Sequence, residues 1–413
     1  MAELQPVRGT HDLLPEAMRA HRHVGDTGRR VAATYGFEEV ATPIFEFTNV
    51  FARTLGEATD VVTKEMYTFE DKGGDSLTLR PENTAGVCRA FISNGLMQHT
   101  PVKYFYDGPM FRHERPQKGR QRQFHQIGVE LIGAAQPLAD VEVIACGWSI
   151  LTALGLGDKV TLELNTLGDT QSRVAYRDAL VGYFSDNRDR LSEESLDRLE
   201  RNPMRILDSK DEGDRALVAG APSYGDYLNS ESVDFFGAVK DGLAQLGIAY
   251  ELNPRLVRGL DYYCHTAFEF TTDALGAQGT VMGGGRYDGL IGLLGGQDTP
   301  GVGWAAGVER LSMLAGDGVE PVRPVVIVPM GDAAEKAALS MAQSLRDAGI
   351  RTEFAFSGNM KKRMKHANKV NARVAVIVGD DELSRGVVQL KLLDDGSQNE
   401  VASTDLIAAC REG

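Results

Sequence analysis

The densest group of chemically active side chains lies between two segments that have the apolar pattern of strands. Between Arg112 and Gln126 the chain carries five lysine or arginine residues and one glutamate, in a loop that also holds Pro116 and Gly119. A planar guanidinium group donates two parallel hydrogen bonds and so matches phosphate oxygens. The loop therefore predicts contact with a polyanion, although a solvated hairpin tip would have the same composition.

A second group of polar and aromatic side chains lies further along the chain. Arg258, Asp261, Tyr262 and Tyr263 fall in one short peptide that follows neither strand nor helix periodicity. Aromatic walls, a fixed cation and hydroxyl groups suit a small polar pocket. The alternative is that the two tyrosines pack in the core.

Two glycine-bearing peptides follow. Residues 283–285 are consecutive glycines, which either let the backbone pass close to a ligand or form a plain turn. Residues 301–311 have the pattern of a strand running into a helix that carries Glu309 and Arg310 near its start. The chain contains neither a Walker phosphate loop nor a dinucleotide-binding fingerprint in a βαβ unit. Arginine side chains must therefore hold the phosphates of any nucleotide that binds here.

The elements that position these side chains follow no regular βαβ rhythm. Apolar periodicity predicts helices over residues 15–35 and 84–94. It predicts extended segments over residues 36–40, 77–79, 102–106, 126–132, 159–164, 267–271 and 302–306. This mixture favours an α+β fold with an antiparallel sheet and flanking helices. Residues 170–247 are mainly helical and acidic, as an inserted helical domain would be.

The rhythm changes after Pro321. Strand, helix, strand, helix and strand are predicted over residues 325–328, 333–348, 351–356, 361–370 and 374–378. This order is typical of a small α/β domain. We therefore predict one domain over residues 1–320, with the insertion at about residues 170–247, and a second over residues 321–413.

Charge is distributed unevenly between these two domains. The 413-residue chain has a formal net charge of −14, but from Arg323 onward 13 lysine and arginine residues face 12 acidic ones. Basic residues crowd the stretch from Lys361 to Arg373, where they suit phosphates of a nucleic acid. A solvated helix face would carry the same residues, and a mere change of domain would give the same charge difference.

Bulk composition bounds the class of protein. A hydrophobic content of 42% with 25% charged residues is that of a globular protein with a sizeable core. No apolar stretch reaches the roughly 18 residues of a membrane span, and we expect no secretory signal. The four cysteines are scattered without a C-x-x-C pair, which argues against a zinc site or a disulfide framework. We predict a cytoplasmic protein without a membrane partner, whose own side chains hold no metal.

The order of these peptides resembles that of the class II aminoacyl-tRNA synthetases. Motif one of that class resembles residues 36–46, which include Pro43. Motif two resembles residues 111–124, and motif three resembles residues 301–310. The resemblance implies a catalytic domain with an antiparallel sheet, an inserted helical domain and a C-terminal α/β anticodon-binding domain.

Within that class, three further peptides are similar to those of the bacterial histidyl-tRNA synthetases. They are residues 258–263, residues 283–288 and residues 79–86. One position departs from the family pattern, because Asn83 stands where the family usually has glycine. The resemblance covers nearly the whole chain and implies charging of transfer RNA with histidine.

The resemblance also implies roles for individual residues. L-histidine is expected to contact Glu82, Thr84, Arg112, Gln126, Glu130, Arg258, Tyr262 and Tyr263. ATP, with Mg²⁺ on its outer phosphates, is expected to contact Arg112, Glu114, Arg120, Phe124 and Arg310. Arg112 and Arg258 are expected to be catalytic, because they bring positive charge to the α-phosphate. Transfer RNA for histidine is expected to contact Arg115, Lys118, Arg122, Lys361, Lys362 and Arg363. Motif one implies a homodimer.

Three alternatives share parts of this pattern. A non-charging regulatory subunit of histidine biosynthesis has the same core fold. It is expected to lack the C-terminal domain and to depart from the pattern at residues 258–263 and 283–288. A histidine-sensing, tRNA-binding domain of a regulatory protein would be fused to a partner such as a kinase. A class II synthetase for another amino acid would differ at residues 258–263 and 283–288.

Overall fold

The structure is a computed structural model and describes residues 3–55, 61–117, 119–209, 211–256, 262–276, 279–316 and 320–412. The chain divides into two compact units, Met1–Val319 and Glu320–Gly413. Each unit has its own sheets and its own buried apolar clusters.

The first unit is built on an eight-stranded sheet. Its strands, in order across the sheet, are β1 (Glu38–Glu39), β5 (Val102–Phe111), β6 (Gln123–Ile132), β11 (Gly301–Gly307), β10 (Thr280–Arg286), β9 (Cys264–Thr271), β7 (Thr161–Thr166) and β8 (Glu251–Leu252). Edge strand β1 pairs in parallel with β5, and edge strand β8 pairs in parallel with β7. The six strands from β5 to β7 in this order pair antiparallel with their neighbours. The predicted α+β class with an antiparallel sheet is confirmed.

Helices and a small sheet surround this large sheet. The small antiparallel sheet has the order β2 (Phe45–Phe47), β4 (Ser76–Leu79), β3 (Tyr67–Glu70). The helices of this unit are α1 (Pro15–Thr34), α2 (Thr48–Leu55), α3 (Thr84–Ser93), α4 (Pro137–Ala153), α5 (Thr170–Asp186), α6 (Glu193–Arg201), α7 (Glu212–Val218), α8 (Ser230–Gln245), α9 (Leu290–Leu293) and α10 (Val308–Ala315). The region predicted as a helical insertion is observed as α5 to α8.

The period of two along a strand gives the large sheet two different faces. On β6, Ile127, Val129 and Leu131 belong to the apolar cluster that includes residues of α1, α4 and α10. The intervening Glu130 points to the opposite face, where Thr84 contacts it. One face therefore carries the core and the other is left for polar chemistry.

Helix α4 is the main element of this unit that the sequence pattern did not indicate. It buries Val141, Val143, Ile144 and Ile150 together with six further residues, so that apolar side chains cover several of its faces. Because no polar stripe alternates with an apolar one, the 3.6-residue signal of an amphipathic helix is absent.

The second unit is a five-stranded mixed sheet with helices packed on it. The strand order is β13 (Thr352–Phe354), β12 (Val325–Met330), β14 (Val374–Gly379), β15 (Val387–Leu392), β16 (Gln398–Ala402). The first three strands are parallel and the last two are antiparallel. Its helices are α11 (Asp332–Asp347), α12 (Met360–Lys369), α13 (Asp380–Ser384) and α14 (Leu406–Glu412). The five predicted elements are observed, and β15 and β16 extend the sheet beyond them.

Among the described residues, no helix combines the length and the apolar character needed to cross a bilayer.

Candidate active site

A cavity of about 370 Å³ opens on the polar face of the large sheet. It collects residues that lie far apart in the sequence, from the loop before α3 to the start of α10. Of the residues predicted to bind histidine or ATP, those that line it are Glu82, Thr84, Arg112, Glu114, Arg120, Phe124, Gln126, Tyr262, Tyr263 and Arg310.

Glu130, which was predicted to bind histidine, does not line this cavity but lies directly behind Thr84, which does. Its carboxylate accepts hydrogen bonds from Thr84 Oγ1 at 2.6 Å and from Tyr287 Oη at 2.5 Å, and the residue is 0% exposed. Burial raises the pKa of Glu130 to about 8. The neighbouring strand accommodates this carboxylate through Gly303, because a Cβ at that position would lie 1.9 Å from Glu130 Oε2.

Glu82 forms a second buried carboxylate at the start of α3. Its oxygens accept hydrogen bonds from the backbone N–H of Thr84 at 2.6 Å and of Ala85 at 3.0 Å. These are donors that a helix N-terminus leaves unpaired, so the sequence places an acid where the helix stabilises it. Burial nevertheless raises the pKa of Glu82. A cation in the cavity would stabilise the ionised form of both glutamates.

Aromatic and amide groups complete this end of the cavity. Tyr262 and Tyr263 are buried with ring centroids 4.6 Å apart, and Tyr262 meets Tyr287 edge-on at 6.0 Å. Gln126 Oε1 is buried and accepts no hydrogen bond from the described residues. It is therefore an acceptor available to a bound polar ligand. Arg258 and Asp261, predicted in the same peptide as the tyrosines, lie outside the described residues.

The other end of the cavity is cationic. Arg120 pairs with Glu114 at 2.9 Å, and Arg112 lies 3.9 Å from the same carboxylate. The Arg112 guanidinium also stands 5.2 Å from the ring centroid of Phe124. Burial, followed by the charge of nearby Arg120, lowers the pKa of Arg310. Arg112 and Arg120 share the Glu114 carboxylate and act on nearby Arg310 with like charge, an arrangement that favours binding of an anion.

Strands and backbone carbonyls hold these arginines in place. Arg112 follows β5 and donates from Nε to the Pro81 carbonyl at 2.8 Å. Arg310, in the first turn of α10, donates to the carbonyls of Gly119 and Thr280. The motif-three helix is thereby tied to the motif-two loop and to β10.

The residues predicted to contact transfer RNA differ in their exposure and in the contacts that they make. Arg115 is exposed, whereas Arg122 is half-buried and binds the Gly9 carbonyl through its backbone and the Glu114 carbonyl through its side chain. Lys118 lies outside the described residues. In the second unit, Lys361 and Lys362 are exposed on α12.

Arg363 differs from these two lysines. Its side chain is 8% exposed, its Nε donates to the Gly358 carbonyl at 2.7 Å and its guanidinium pairs with Glu335. These contacts occupy the group that was predicted to bind phosphate, so its observed role is to join α12 to α11.

Comparison with known proteins decides the family. The profile of the histidyl-tRNA synthetase family matches residues 9–311. The chain belongs to the histidyl-tRNA synthetase family. A profile of the anticodon-binding domain matches residues 324–413. The resemblance drawn from the sequence motifs is confirmed.

Individual relatives of the histidyl-tRNA synthetase family match along the whole chain. The histidine–tRNA ligase of Rhodospirillum rubrum is 65% identical over 402 residues, which are 97% of each chain. That of Gluconacetobacter diazotrophicus is 61% identical over the same share of both chains. The crystal structure of apo histidyl-tRNA synthetase from S. aureus has a TM-score of 0.84 at 36% identity and covers 99% of this chain and 100% of that one.

The departure from the histidyl-tRNA synthetase pattern at Asn83 causes no backbone strain. Its φ is −116°, in the region open to all residues, so the position does not need glycine. The side chain is buried, and its Oδ1 accepts from Thr42 Oγ1 at 2.6 Å and from Arg80 Nη1 at 3.3 Å. Arg80 also donates to the carbonyls of Thr42 and Pro109. Asn83 thus joins motif one, the loop before α3 and β5.

The sequence patterns did not indicate the contacts that Tyr287 and Arg286 make beside the site. Both belong to the peptide at residues 283–288, whose glycines lie in strand β10 and not in a turn. Gly284 and Gly285 allow close contact with the adjacent strands and with Tyr263. Tyr287 contacts Glu130 directly, whereas Arg286 is fully buried against Asp140 and Asp288. Contacts between residues so far apart leave no signal in the spacing of one sequence.

Proposed function

We infer that this chain attaches L-histidine to its transfer RNA in two steps, through a histidyl-adenylate intermediate. The observation that carries the inference is one cavity that brings Glu82, with Glu130 buried behind Thr84, together with a group of arginines. An amino acid and a nucleoside triphosphate have complementary charges for these two groups of residues. The family to which the chain belongs supports the same reaction.

Histidine occupies the carboxylate end in this proposal. Glu82, Glu130, Thr84 and Gln126 bind the ammonium group and the imidazole, and Tyr262 and Tyr263 form the wall beside the ring. Each ring nitrogen needs a buried partner, because an analogue that leaves such a partner unpaired is rejected strongly. The pair of hydroxyl donors on Glu130 fixes the orientation of that carboxylate before the ligand arrives.

ATP occupies the arginine end and enters with Mg²⁺ on its β- and γ-phosphates as part of the substrate. Phe124 stacks on the adenine and Glu114 helps to fix the base. Arg120 and Arg310 bind the outer phosphates, and Arg112 bridges the α-phosphate and the histidine carboxylate. Binding of the phosphates relieves the mutual repulsion that lowers the pKa of Arg310.

Activation brings two anionic groups together. The histidine carboxylate attacks the α-phosphorus in line, a P–O bond forms and pyrophosphate leaves. Catalysis is therefore mainly positioning and cationic stabilisation of phosphoryl oxygens. Arg112 supplies charge from the described site, and Arg258 supplies it according to the family pattern. The terminal ribose hydroxyl of the transfer RNA then attacks the adenylate carbonyl, releasing AMP.

Transfer RNA contacts both units in this proposal. Arg115, Lys118 and Arg122 of the motif-two loop contact the acceptor end, and Lys361 and Lys362 contact the anticodon arm. Binding through phosphates weakens steeply with salt. A homodimer formed through motif one and a cytoplasmic location complete the proposal, because both are implied by the family resemblance.

The test is pyrophosphate exchange into ATP with each of the twenty amino acids. Exchange with histidine alone, lost in a folded Arg258→Ala variant, supports the activation step and its specificity together. The exposed Arg255, three residues earlier, provides a matched control, and Arg255→Ala should retain exchange. Absence of exchange with every amino acid, from folded protein supplied with magnesium, would favour the non-charging regulatory subunit instead.

A further inference from the structure

The opposite face of strand β6 carries a second group of potential ligand atoms. His125 lies between Phe124 and Gln126 and points away from the substrate cavity, toward helices α1 and α10. There it meets His21 of α1 and Glu309 of α10, with one ligand atom from each of the three residues within 4.8 Å of the others. In the described part of the chain, no other set of three or more His, Cys, Asp or Glu residues comes this close.

His21 is the least satisfied member of this group. It is 9% exposed, and no hydrogen bond or ion pair engages its ring within the described residues. Its ring meets that of His125 edge-on, with centroids 5.3 Å apart and an interplanar angle of 84°. Its ring nitrogens are not among the fully buried polar atoms that lack a partner in the described residues, so solvent reaches them and an ion could do the same.

Glu309 and His125 are already held close together. The Glu309 carboxylate accepts the backbone N–H of His125 at 2.9 Å and 3.1 Å, and its Oε1 lies 3.1 Å from His125 Nδ1. An ion with tetrahedral bonds of about 2.0 Å separates its ligand atoms by about 3.3 Å. The observed 3.1 Å spacing therefore lets one metal ion replace the proton between the imidazole and the carboxylate.

We propose that His21, His125 and Glu309 bind a zinc ion or a similar borderline transition metal. Two imidazoles and one carboxylate form a ligand set that zinc accepts, with the fourth position left for water. A cavity of about 160 Å³ adjoins His21 and His125 and gives that water room. The site departs from the sequence-based expectation of no bound metal, which rested on the spacing of the cysteines.

Such an ion would connect α1 to two elements, β6 and α10, that line the substrate cavity. Phe124 and Gln126 flank His125 on β6, and Glu309, which itself lines the cavity, precedes Arg310 on α10. Metal binding would therefore fix the strand and helix that present these residues to ATP and histidine.

The test uses full-length protein stripped of metal with a chelator and titrated with Zn²⁺, with Co²⁺ as a visible-absorption probe. We expect one ion per chain in the wild type, and binding at least about ten-fold weaker in His21→Gln. His23 is exposed on the same helix, so His23→Gln is the matched control and should bind like the wild type. Equal binding by His21→Gln, or no binding by the wild type, would overturn the proposal.

Two further measurements keep the proposal testable if His21→Gln folds poorly. Zinc should raise the Tm of the wild type by several degrees, because it binds only the native state. X-ray absorption at the zinc edge should show nitrogen and oxygen ligands with imidazole scattering, and a sulfur shell would point to the cysteines and refute the site. Both readouts are independent of pyrophosphate exchange, so a failure here leaves the proposed reaction standing.

Discussion

Two fully buried carboxylates in the large-sheet unit meet opposite surroundings. Asp140 of α4 is paired with the guanidinium of Arg286, which is itself fully buried. Within the described residues, Glu130 of β6 receives only the neutral hydroxyls of Thr84 and Tyr287. Burial raises the pKa of both carboxyls, yet among the described residues only Asp140 has a cationic partner. Asp140 is neutralised by the protein itself, whereas in the proposed function a cationic ligand neutralises Glu130.

The two carboxylates therefore differ in their consequences, Asp140 for the stability of the sheet and Glu130 for ligand binding in the proposed function. A buried pair contributes little net stability, but removing one partner leaves a buried charge that is strongly unfavourable. A buried carboxylate without a cationic partner is unfavourable in the free protein. A cationic ligand that binds there removes this penalty, and the free energy recovered adds to the affinity. In the proposed function, Glu82 and Glu130 therefore account for affinity toward an amino acid, and the Asp140–Arg286 pair holds the end of strand β10, next to Tyr287.

The largest expected effect comes from breaking the structural pair. In Asp140→Asn the buried Arg286 guanidinium keeps only the half-exposed Asp288 as a charged partner among the described residues. The guanidinium cannot lose its charge by deprotonation. We expect the free energy of unfolding to fall by about 3–5 kcal/mol in urea titrations at pH 7. Arg286→Met should cost less, because Asp140 can become protonated.

A surface pair provides the control for this prediction. Asp26 and Arg29 pair at 2.7 Å, but both side chains are exposed, at 62% and 39%. Asp26→Asn should change the free energy of unfolding by no more than about 1 kcal/mol. If Asp140→Asn were as mild as Asp26→Asn, the buried pair would not hold β10 against α4.

Glu130→Gln should have the opposite profile. The amide has nearly the same shape and does not need the proton that the buried acid must take up at pH 7, so we expect unchanged or higher stability in the same urea titrations. Histidine binding should weaken by about 100-fold, which corresponds to about 2.7 kcal/mol. Calorimetric titration with histidine measures the loss, and an affinity within a factor of three or so of the wild type would show that Glu130 is not the partner of the ligand cation.

The pH dependence distinguishes the two carboxylates more finely. The pKa of Glu130 is raised from 4.5 to about 8, so the native state binds more protons than the unfolded chain between those values. The contribution of this group to stability is present below pH 4.5 and is lost as the pH rises through about 8. At pH 7 the free site holds a proton on Glu130 that a bound cation displaces.

Proton release on histidine binding is the measurement for this step. Calorimetric titrations in two buffers of different ionisation enthalpy give the number of protons released, which should be a substantial fraction of one at pH 7. The release should vanish in Glu130→Gln, which isolates Glu130 from titration of the histidine imidazole. Equal release in the wild type and the variant would assign the proton to another group.

The strand, basic loop and returning strand of the motif-two peptide were predicted from the local pattern of residues. The family resemblance assigned Arg112, Glu114, Phe124 and Gln126 within that peptide to the site, and the structure brings all four to one cavity. The local pattern could not indicate that Tyr287 would donate to Glu130, since 157 positions separate them and only the order of strands brings them together. The same holds for Asp140 and Arg286, because α4 lacked the polar stripe that reveals an amphipathic helix.

The smallest of these effects is expected from substitution of Asn83, between Glu82 and Thr84. Asn83→Gly returns the usual residue of the family but removes the acceptor for Thr42 Oγ1 and Arg80 Nη1 in a buried setting. Backbone entropy and the two lost hydrogen bonds, of which the 3.3 Å bond from Arg80 is the weaker, should together cost about 2 kcal/mol of unfolding free energy. The loop would then hold Thr84 less firmly on Glu130, so the KM for histidine in pyrophosphate exchange should rise a few-fold while kcat changes little. Asn94→Gly, at the exposed other end of the same helix, should leave that KM unchanged, and a rise in both variants would mean that α3 as a whole, and not the Asn83 contact, sets the position of Thr84.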